Sequence, residues 1–396
     1  MATYYVSKAG DDSDNGTTPA LAKLTIDAAI QIAGVDGDIV EIIDEGTYAE
    51  GNMWNRASIT VRHTASELGR PVIDGTGGPG GTNNAFWSYN DGYTIIGLEI
   101  KGQTGYVFKG VSATTLTKDL AVSGCFIHDV PVLASGLLAN TDASNPITFK
   151  QCVMFFEPGS SDVIKISGHA EISNCLITAS NLSQGNSIIY DSGIHGTASF
   201  NTIIDRGGAA TNPAVMCSKV INNIVYSNAG DGIASDDQTY NLVTVPGHSF
   251  KNKANDANAA TGSNSAFTTY ASLGFVDGTA VGPAETIAAN YDLQVGSVAY
   301  NAGIAYDGIV VDIAGSVRPF CDDYDIGCYE LTKIWLDYTD EEEFPFSTDF
   351  INNHYANMNA NQKFRFCDAN PKQVPFSRGV KGPATLRGRN TPYKAE

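Results

Sequence analysis

A chain of 396 residues with 42% hydrophobic residues, 41 Gly, 15 Pro and only 17% charged residues has the length of two or three ordinary domains or one elongated repeat domain, with ample apolar material for a core. That excludes wholesale disorder. Charge below the ~25% of an average soluble protein, with Asn, Thr, Ser and Gly where helical proteins carry Lys and Glu, points to strands and tight turns. A formal net charge of −19 repels phosphate at long range, so nucleic acid is not an expected partner of the body. No apolar run reaches the ~18–20 residues of a membrane span, so no membrane contact is expected either.

The opening Met1-Ala2-Thr3-Tyr4-Tyr5-Val6-Ser7 has neither the basic start nor the apolar middle of a secretory signal, and the chain is expected to be made and folded in a cytosol. Its seven cysteines are odd in number, spread out and without a CxxC pair. That predicts neither a disulfide framework nor a zinc site, and no cofactor is implied. Helical periodicity is confined to residues 25–33, where Ile26, Ala29, Ile30 and Ala33 fall three or four apart behind a Thr cap. The period then switches to two: residues 38–43 read as a strand and residues 45–48 as its turn.

From about residue 58 to 245 short strands alternate with Gly, Asn, Asp and Ser, and an internal repeat runs through them. A small or amide residue, an inward-looking position and two apolar-leaning positions recur. They stand at Gly97-Leu98-Glu99-Ile100, Gly124-Cys125-Phe126-Ile127, Gln151-Cys152-Val153-Met154, Asn174-Cys175-Leu176-Ile177, Asn201-Thr202-Ile203-Ile204 and Asn222-Asn223-Ile224-Val225. The second positions lie 27, 27, 23, 27 and 21 residues apart. A period near two dozen residues with no helix in it is a β-solenoid coil whose short strands pair in parallel with those of the next coil. Like positions then stack, which predicts an inward ladder of thiols at Cys125, Cys152 and Cys175. At the adjoining bend it predicts an amide ladder at Asn174, Asn201 and Asn222. Structural packing is the expected role of the three thiols.

Thr3-Tyr4-Tyr5-Val6-Ser7-Lys8-Ala9-Gly10-Asp11-Asp12, Thr25-Ile26-Asp27-Ala28-Ala29-Ile30, Gly37-Asp38-Ile39-Val40 and Gly46-Thr47-Tyr48 together resemble the opening of right-handed parallel β-helix proteins of the pectate-lyase-like superfamily. In those proteins a short helix caps the solenoid. Gly274-Phe275-Val276-Asp277, Tyr291-Asp292-Leu293-Gln294-Val295-Gly296-Ser297, Asn301-Ala302-Gly303, Arg318-Pro319 and Asp325-Ile326-Gly327-Cys328-Tyr329-Glu330 are similar to their closing segment. The resemblance spans roughly residues 3–330. It implies an all-β, right-handed parallel β-helix solenoid with a short N-terminal capping helix, here followed by an extended C-terminal arm. The expected plan is an N-terminal cap and first coil at 1–57, a body with closing segment at 58–330, and a docking or assembly arm at 331–396. Function stays open, because the superfamily holds lyases, hydrolases, adhesins and bacteriophage tail proteins.

The arm departs from that pattern. Asp340-Glu341-Glu342-Glu343 is followed by Phe344-Pro345-Phe346 and Asn-rich sequence, and residues 371–396 hold Lys372, Arg378, Lys381, Arg387, Arg389 and Lys394 against Glu396 alone. Six bases against one acid give +5 and leave −24 on the preceding 370 residues. Such a tail is ordered only when its own body, a sister subunit or another protein holds it. Lys372, Arg378, Lys381, Arg387 and Arg389 are candidates to pair with acidic groups of a partner, and Phe344, Phe346, Phe364 and Phe366 are candidate apolar anchors.

Polysaccharide lyases of this fold, by the same resemblance, use a Lys or Arg base beside calcium held on Asp and Glu. Candidates expected to point outward are Asp162, Lys165, His169, Asp191, His195, Asp205, Arg206, Asp231, Asp236 and Asp237; Lys165, Asp191, Asp236 and Asp237 are the catalytic candidates. None recurs at the coil spacing so as to assemble a base with two or three carboxylates. Asp236-Asp237 with Gly247-His248-Ser249 gives part of a polygalacturonase-like set. The 11-residue separation of Asp237 from His248 is less than one coil, however, and no Arg-Ile-Lys is present. Asp236 and Asp237 also read as plain turn residues. Asp11-Asp12-Ser13-Asp14-Asn15-Gly16 partly fits a calcium loop, but Ala22 stands where the bidentate Glu belongs, so a turn into the capping helix is the expected role. Trp54, Trp87, Tyr89 and Tyr93, near the Gly-rich residues 75–81, read either as a glycan-stacking patch or as coil packing.

A fold shared with glycan-active proteins, no export signal and a docked arm lead together to a bacteriophage virion subunit: a tail spike, fibre or capsid decoration protein. Its expected partners are other virion proteins, further copies of itself in a homotrimer implied by the resemblance, and a host surface polysaccharide. The competing reading is a polysaccharide lyase or depolymerase acting on an acidic glycan.

Overall fold

A computed structural model describes residues 1–331 with the exception of 64–68, 78–83, 89–91, 111–119, 131–137, 141–146, 157–162, 167–168, 180–185, 192–195, 206–211, 228–231, 236, 240, 245–264, 267–273, 278–287, 289, 295–296, 298, 301, 307 and 320–323. The expected arm beyond residue 331 lies outside the described residues.

Among the described residues the chain forms three parallel sheets of ten, ten and eight strands. One coil visits them in turn, as at Ile147–Lys150, Val153–Phe156 and Ile164–Ile166. Each strand pairs in register with its counterpart one coil on, so that Ile147 faces Ala170, Val153 faces Leu176 and Ile164 faces Ile189. This is the parallel solenoid expected from the repeat, and the right-handed β-helix that the resemblance implies. Thr3–Val6 and Ile39–Ile42 begin the first sheet, and Thr47–Tyr48, read above as a turn, is the first strand of the second.

The first sheet alternates as a half-buried strand should: Ile147 and Phe149 point into the core while Lys150 is exposed. A single residue with positive φ then turns the corner into the second sheet: Gly97, Gly124, Gln151, Asn174, Phe200 and Asn222, with φ between 52° and 70°. Gly and Asn suit that left-handed conformation. The residue after each of these corners points inward, and they stack as Leu98, Cys125, Cys152, Cys175, Asn201 and Asn223, with buried Asn241 next in the row. The thiol ladder is present, with each Sγ near a main-chain carbonyl, Cys175 lying 3.6 Å from the Phe149 oxygen. Burial pushes the Cys125 and Cys152 thiols up.

The amide ladder corrects the expectation. It consists of Asn201, Asn223 and Asn241: Asn223 Oδ1 accepts from the Asn201 N–H at 2.9 Å, and Asn241 Oδ1 accepts from the Asn223 N–H at 2.9 Å. Asn174 and Asn222 instead occupy corners. Phe200 takes the corner in the intervening coil, so the inward position there is Asn201 and not Thr202.

Strands of the second sheet are buried on both faces. Their outward residues Phe126, Val153, Phe155, Leu176, Ile204 and Ile224 pack against Tyr291, Leu293, Ile326, Cys328 and Leu331 of the closing segment. The helix Ile26–Ile32 covers the other end with Ile26, Ala29 and Ile30. At seven residues it is too short to stand alone. Its first N–H groups are satisfied by Thr25 Oγ1, which accepts from Ala28, and by the Glu50 carboxylate, which accepts from Ile26 and Asp27 at 3.0 and 2.8 Å.

Candidate functional site

Among the described residues the structure does not bring the catalytic candidates Lys165, Asp191 and Asp237 onto one site. Lys165 lies on a third-sheet strand, its main chain in register with Ala139 and Tyr190. Asp237 lies on the first sheet, opposite Lys219. Asp191, expected to point outward, is 1% exposed and its Oδ2 accepts from the Gly196 N–H at 2.6 Å. It ends a strand on the same face as buried Ile189, and its carboxylate ties that strand end to Gly196. Asp205, also expected outside, is fully buried and accepts from the Ser227 hydroxyl at 3.1 Å. Both carboxylates serve the chain's own donors, since a buried one must. Asp162, His195, Arg206, Asp231, Asp236 and residues 247–249 lie outside the described residues, as do Phe344, Phe346, Lys372, Arg378, Lys381, Arg387 and Arg389.

The loop at residues 11–16 is closed on itself. Asp11 Oδ1 accepts from the Ser13 N–H and hydroxyl, Asn15 Oδ1 from those of Thr17, and Asp12 from the N–H groups of Leu24 and Thr25. Among the described residues no group of three or more His, Cys, Asp or Glu is placed to hold a metal ion. His128 sits between two carboxylates, with Nδ1 3.0 Å from Asp129 and Nε2 3.0 Å from Glu99. Both ring nitrogens are thereby engaged within the protein.

Two surface features remain. On the third sheet Trp54 is in register with Trp87, whose main chain aligns with Lys109. The same row continues through Ala139 and Lys165 to Tyr190 and Met216. The neighbours Met53, Phe86 and Phe108 are buried, so alternation turns Trp54 and Trp87 away from the core, Trp87 remaining half-buried with its Nε1 covered. Trp54 is 53% exposed, and the two ring centroids lie 6.1 Å apart with their planes tilted 31°. Tyr93, grouped with them by sequence, is a core residue whose hydroxyl donates to the Met53 carbonyl at 3.2 Å, and Tyr89 lies outside the described residues.

No protein-family model matches the chain, and no curated protein matches it. Among solved structures it is similar to Escherichia coli YbhC, with 13% sequence identity over 61% of this chain and 72% of that one, at a TM-score of 0.32.

The second feature is a cleft on the first sheet, walled by Tyr306, Gly308, Ile309, Val310 and Val311 of the closing segment. Sequence reading named one of its lining residues, His169, as outward and missed the rest, because floor and wall are separated by more than a hundred residues and only the folded chain lays one over the other.

Proposed function

We propose that the protein is a bacteriophage structural subunit, a stiff β-helix rod that contacts a host surface glycan through the outer face of its third sheet and joins the virion through the chain beyond residue 331. The observation that carries the glycan contact is the Trp54–Trp87 pair. The exposed Trp54 ring beside the half-buried Trp87 ring presents an apolar face of the kind that the C–H face of a sugar ring covers. Large apolar groups held together at a surface ordinarily mark a contact site. Parallel stacking of strands supplies stiffness without disulfides. A +5 tail on a −24 body supports attachment by ion pairs with a neighbouring subunit.

The competing enzyme reading is favoured by one observation: the register row of Trp87 continues through Lys109 and Ala139 to Lys165. One experiment separates the two. The full chain is incubated with immobilised host capsular and lipopolysaccharide glycans, and both retention and product are measured. Retention lost in Trp54→Ala and Trp87→Ala, with no new reducing ends and no unsaturated uronate absorbance, is the expected result. Product formation abolished by Lys165→Ala establishes the lyase instead. Deletion of residues 371–396 tests the anchor; full incorporation of the truncated chain into particles overturns it.

A further inference from the structure

The first-sheet cleft has a volume of about 350 Å³, at the lower end of the ~300–1,000 Å³ typical of small-molecule sites. Its floor is made by two register rows, Glu171 beside Thr197, and Lys150 beside Ser173 and Ser199. Its wall is Tyr306, Ile309 and their neighbours. The wall is hung from corner residues of the solenoid: Gln151 Nε2 donates to the Asp312 carbonyl at 2.9 Å and Asn174 Nδ2 to the Val311 carbonyl at 2.8 Å.

A third corner shows what a complete grip looks like. Asn222 donates Nδ2 to the Ile304 carbonyl at 2.7 Å and accepts the Ile304 N–H on Oδ1 at 3.0 Å. Asn174 makes only half of that contact. Its side chain lines the cleft, the residue is 5% exposed, and its Oδ1 is buried with no hydrogen-bond partner. A buried acceptor left unpaired is costly, and native structures keep few of them without a reason.

We infer that the cleft binds one residue of a neutral, hydroxyl-rich sugar, with a ligand hydroxyl donating to Asn174 Oδ1. The Glu171 carboxylate is a second acceptor, the Ser173, Thr197 and Ser199 hydroxyls both give and take, and Lys150 donates. Lys150 lies 3.5 Å from Glu171, so its charge is offset locally, and the acidic body repels anions. Phosphate and uronate are thereby disfavoured. Tyr306 and Ile309 supply the apolar side that a pyranose ring needs. This site is on a different sheet from Trp54 and Trp87 and stands independently of the reading built on them.

The test is saturation-transfer NMR of the full chain with D-glucose, D-galactose and N-acetyl-D-glucosamine, and with D-galacturonate as the anionic counterpart. The expected result is saturable binding of at least one neutral sugar, weakened about tenfold or more by Thr197→Trp, which fills the floor, and by Lys150→Ala, while Trp54→Ala leaves it unchanged. Absence of saturable binding, preference for galacturonate, binding that survives the cleft variants, or binding lost in Trp54→Ala instead would each overturn the assignment. Should Thr197→Trp fail to fold, as judged by circular dichroism, Lys150→Ala at its exposed position decides by the same criterion.

Discussion

The guanidinium of Arg318 lies 4.7 Å from the ring centroid of Phe200, and this contact ties the closing segment to a corner of the solenoid. Phe200 holds φ at 54°, a conformation that costs a bulky residue on the order of 1–3 kcal/mol. Arg318 covers it from one side and Tyr324 stands 5.7 Å away. The buried Arg318 donates to the carbonyls of Asp325 and Gly327 at 3.1 and 2.7 Å and lies 3.5 Å from Glu330. Burial draws its pKa down, and Glu330 and Asp312 oppose that. Arg318→Met leaves Glu330 buried without its cation and is expected to cost ~3–5 kcal/mol, measured from denaturant unfolding. A loss below about 1 kcal/mol, the centre of ordinary substitutions, would show that the closing segment does not depend on this ion pair.

The inward ladder makes a graded prediction. Asn223 takes the Asn201 N–H and side-chain amide on Oδ1 and gives its own amide to the Ala198 and Ile221 carbonyls and to Asn241 Oδ1. Asn223→Leu orphans several of these buried groups at ~1–3 kcal/mol each, so the variant is expected to unfold at a much lower denaturant concentration. Cys152→Ala removes only a packed thiol and is expected near the ~1 kcal/mol centre of single substitutions. Cys125 and Cys152, buried and held in the thiol form, are expected to resist an aromatic disulfide reagent until the chain unfolds.

The solenoid was legible because its period is carried by local chemistry. Each coil needs a residue tolerant of positive φ and then a small inward residue, and Gly124-Cys125 and Asn174-Cys175 meet both demands. The register failed at Phe200, where a tertiary contact with Arg318, more than a hundred residues on, lets a bulky side chain hold a corner that local propensity gives to Gly or Asn. Asp191 and Asp205 failed for a related reason. A carboxylate beside a turn looks like surface, and only the folded chain shows the Gly196 N–H and Ser227 hydroxyl that take it inside. The Trp54–Trp87 pair was half legible: composition marked the aromatics, while strand alternation decided that Tyr93 goes in and Trp54 goes out.

Acid titration should separate two carboxylate sites at the N-terminal end. Burial pushes Glu50 above its ordinary 4.5, with Asp27 adding repulsion, against the Asp27 and Ile26 N–H groups that stabilise its charge. A raised carboxylate binds its proton more tightly in the folded state, so this site gains stability as pH falls from neutral through the raised value towards 4.5. Asp44 behaves oppositely. Burial pushes it up, but hydrogen bonds from the Lys8 and Gly46 N–H groups, Tyr48 and Ser7 outweigh that and hold it below 3.8. Its contribution is present above 3.8 and lost as pH drops through the depressed value. Melting temperature against pH is the check: Glu50→Gln should remove the gain on mild acidification, and Asp44→Asn should flatten the loss at lower pH.

Corner amides can be separated from corner geometry by glycine. Asn222 holds φ at 57°, which glycine adopts freely, so Asn222→Gly keeps the bend and removes only the two-bond grip on Ile304. The solenoid should keep its stability while the closing segment loosens locally by ~1–3 kcal/mol, the net worth of two hydrogen bonds at ~0.5–1.5 each. Asn174→Gly, at φ 52°, removes one bond to the Val311 carbonyl and should loosen it about half as much. Hydrogen exchange at the Ile304 amide, whose proton goes to Asn222 Oδ1, reads the first variant directly. Unchanged protection there would mean that apolar contacts to the second sheet hold the segment without the amide, and equal effects of the two variants would mean that the corner, not the grip, is what each asparagine supplies.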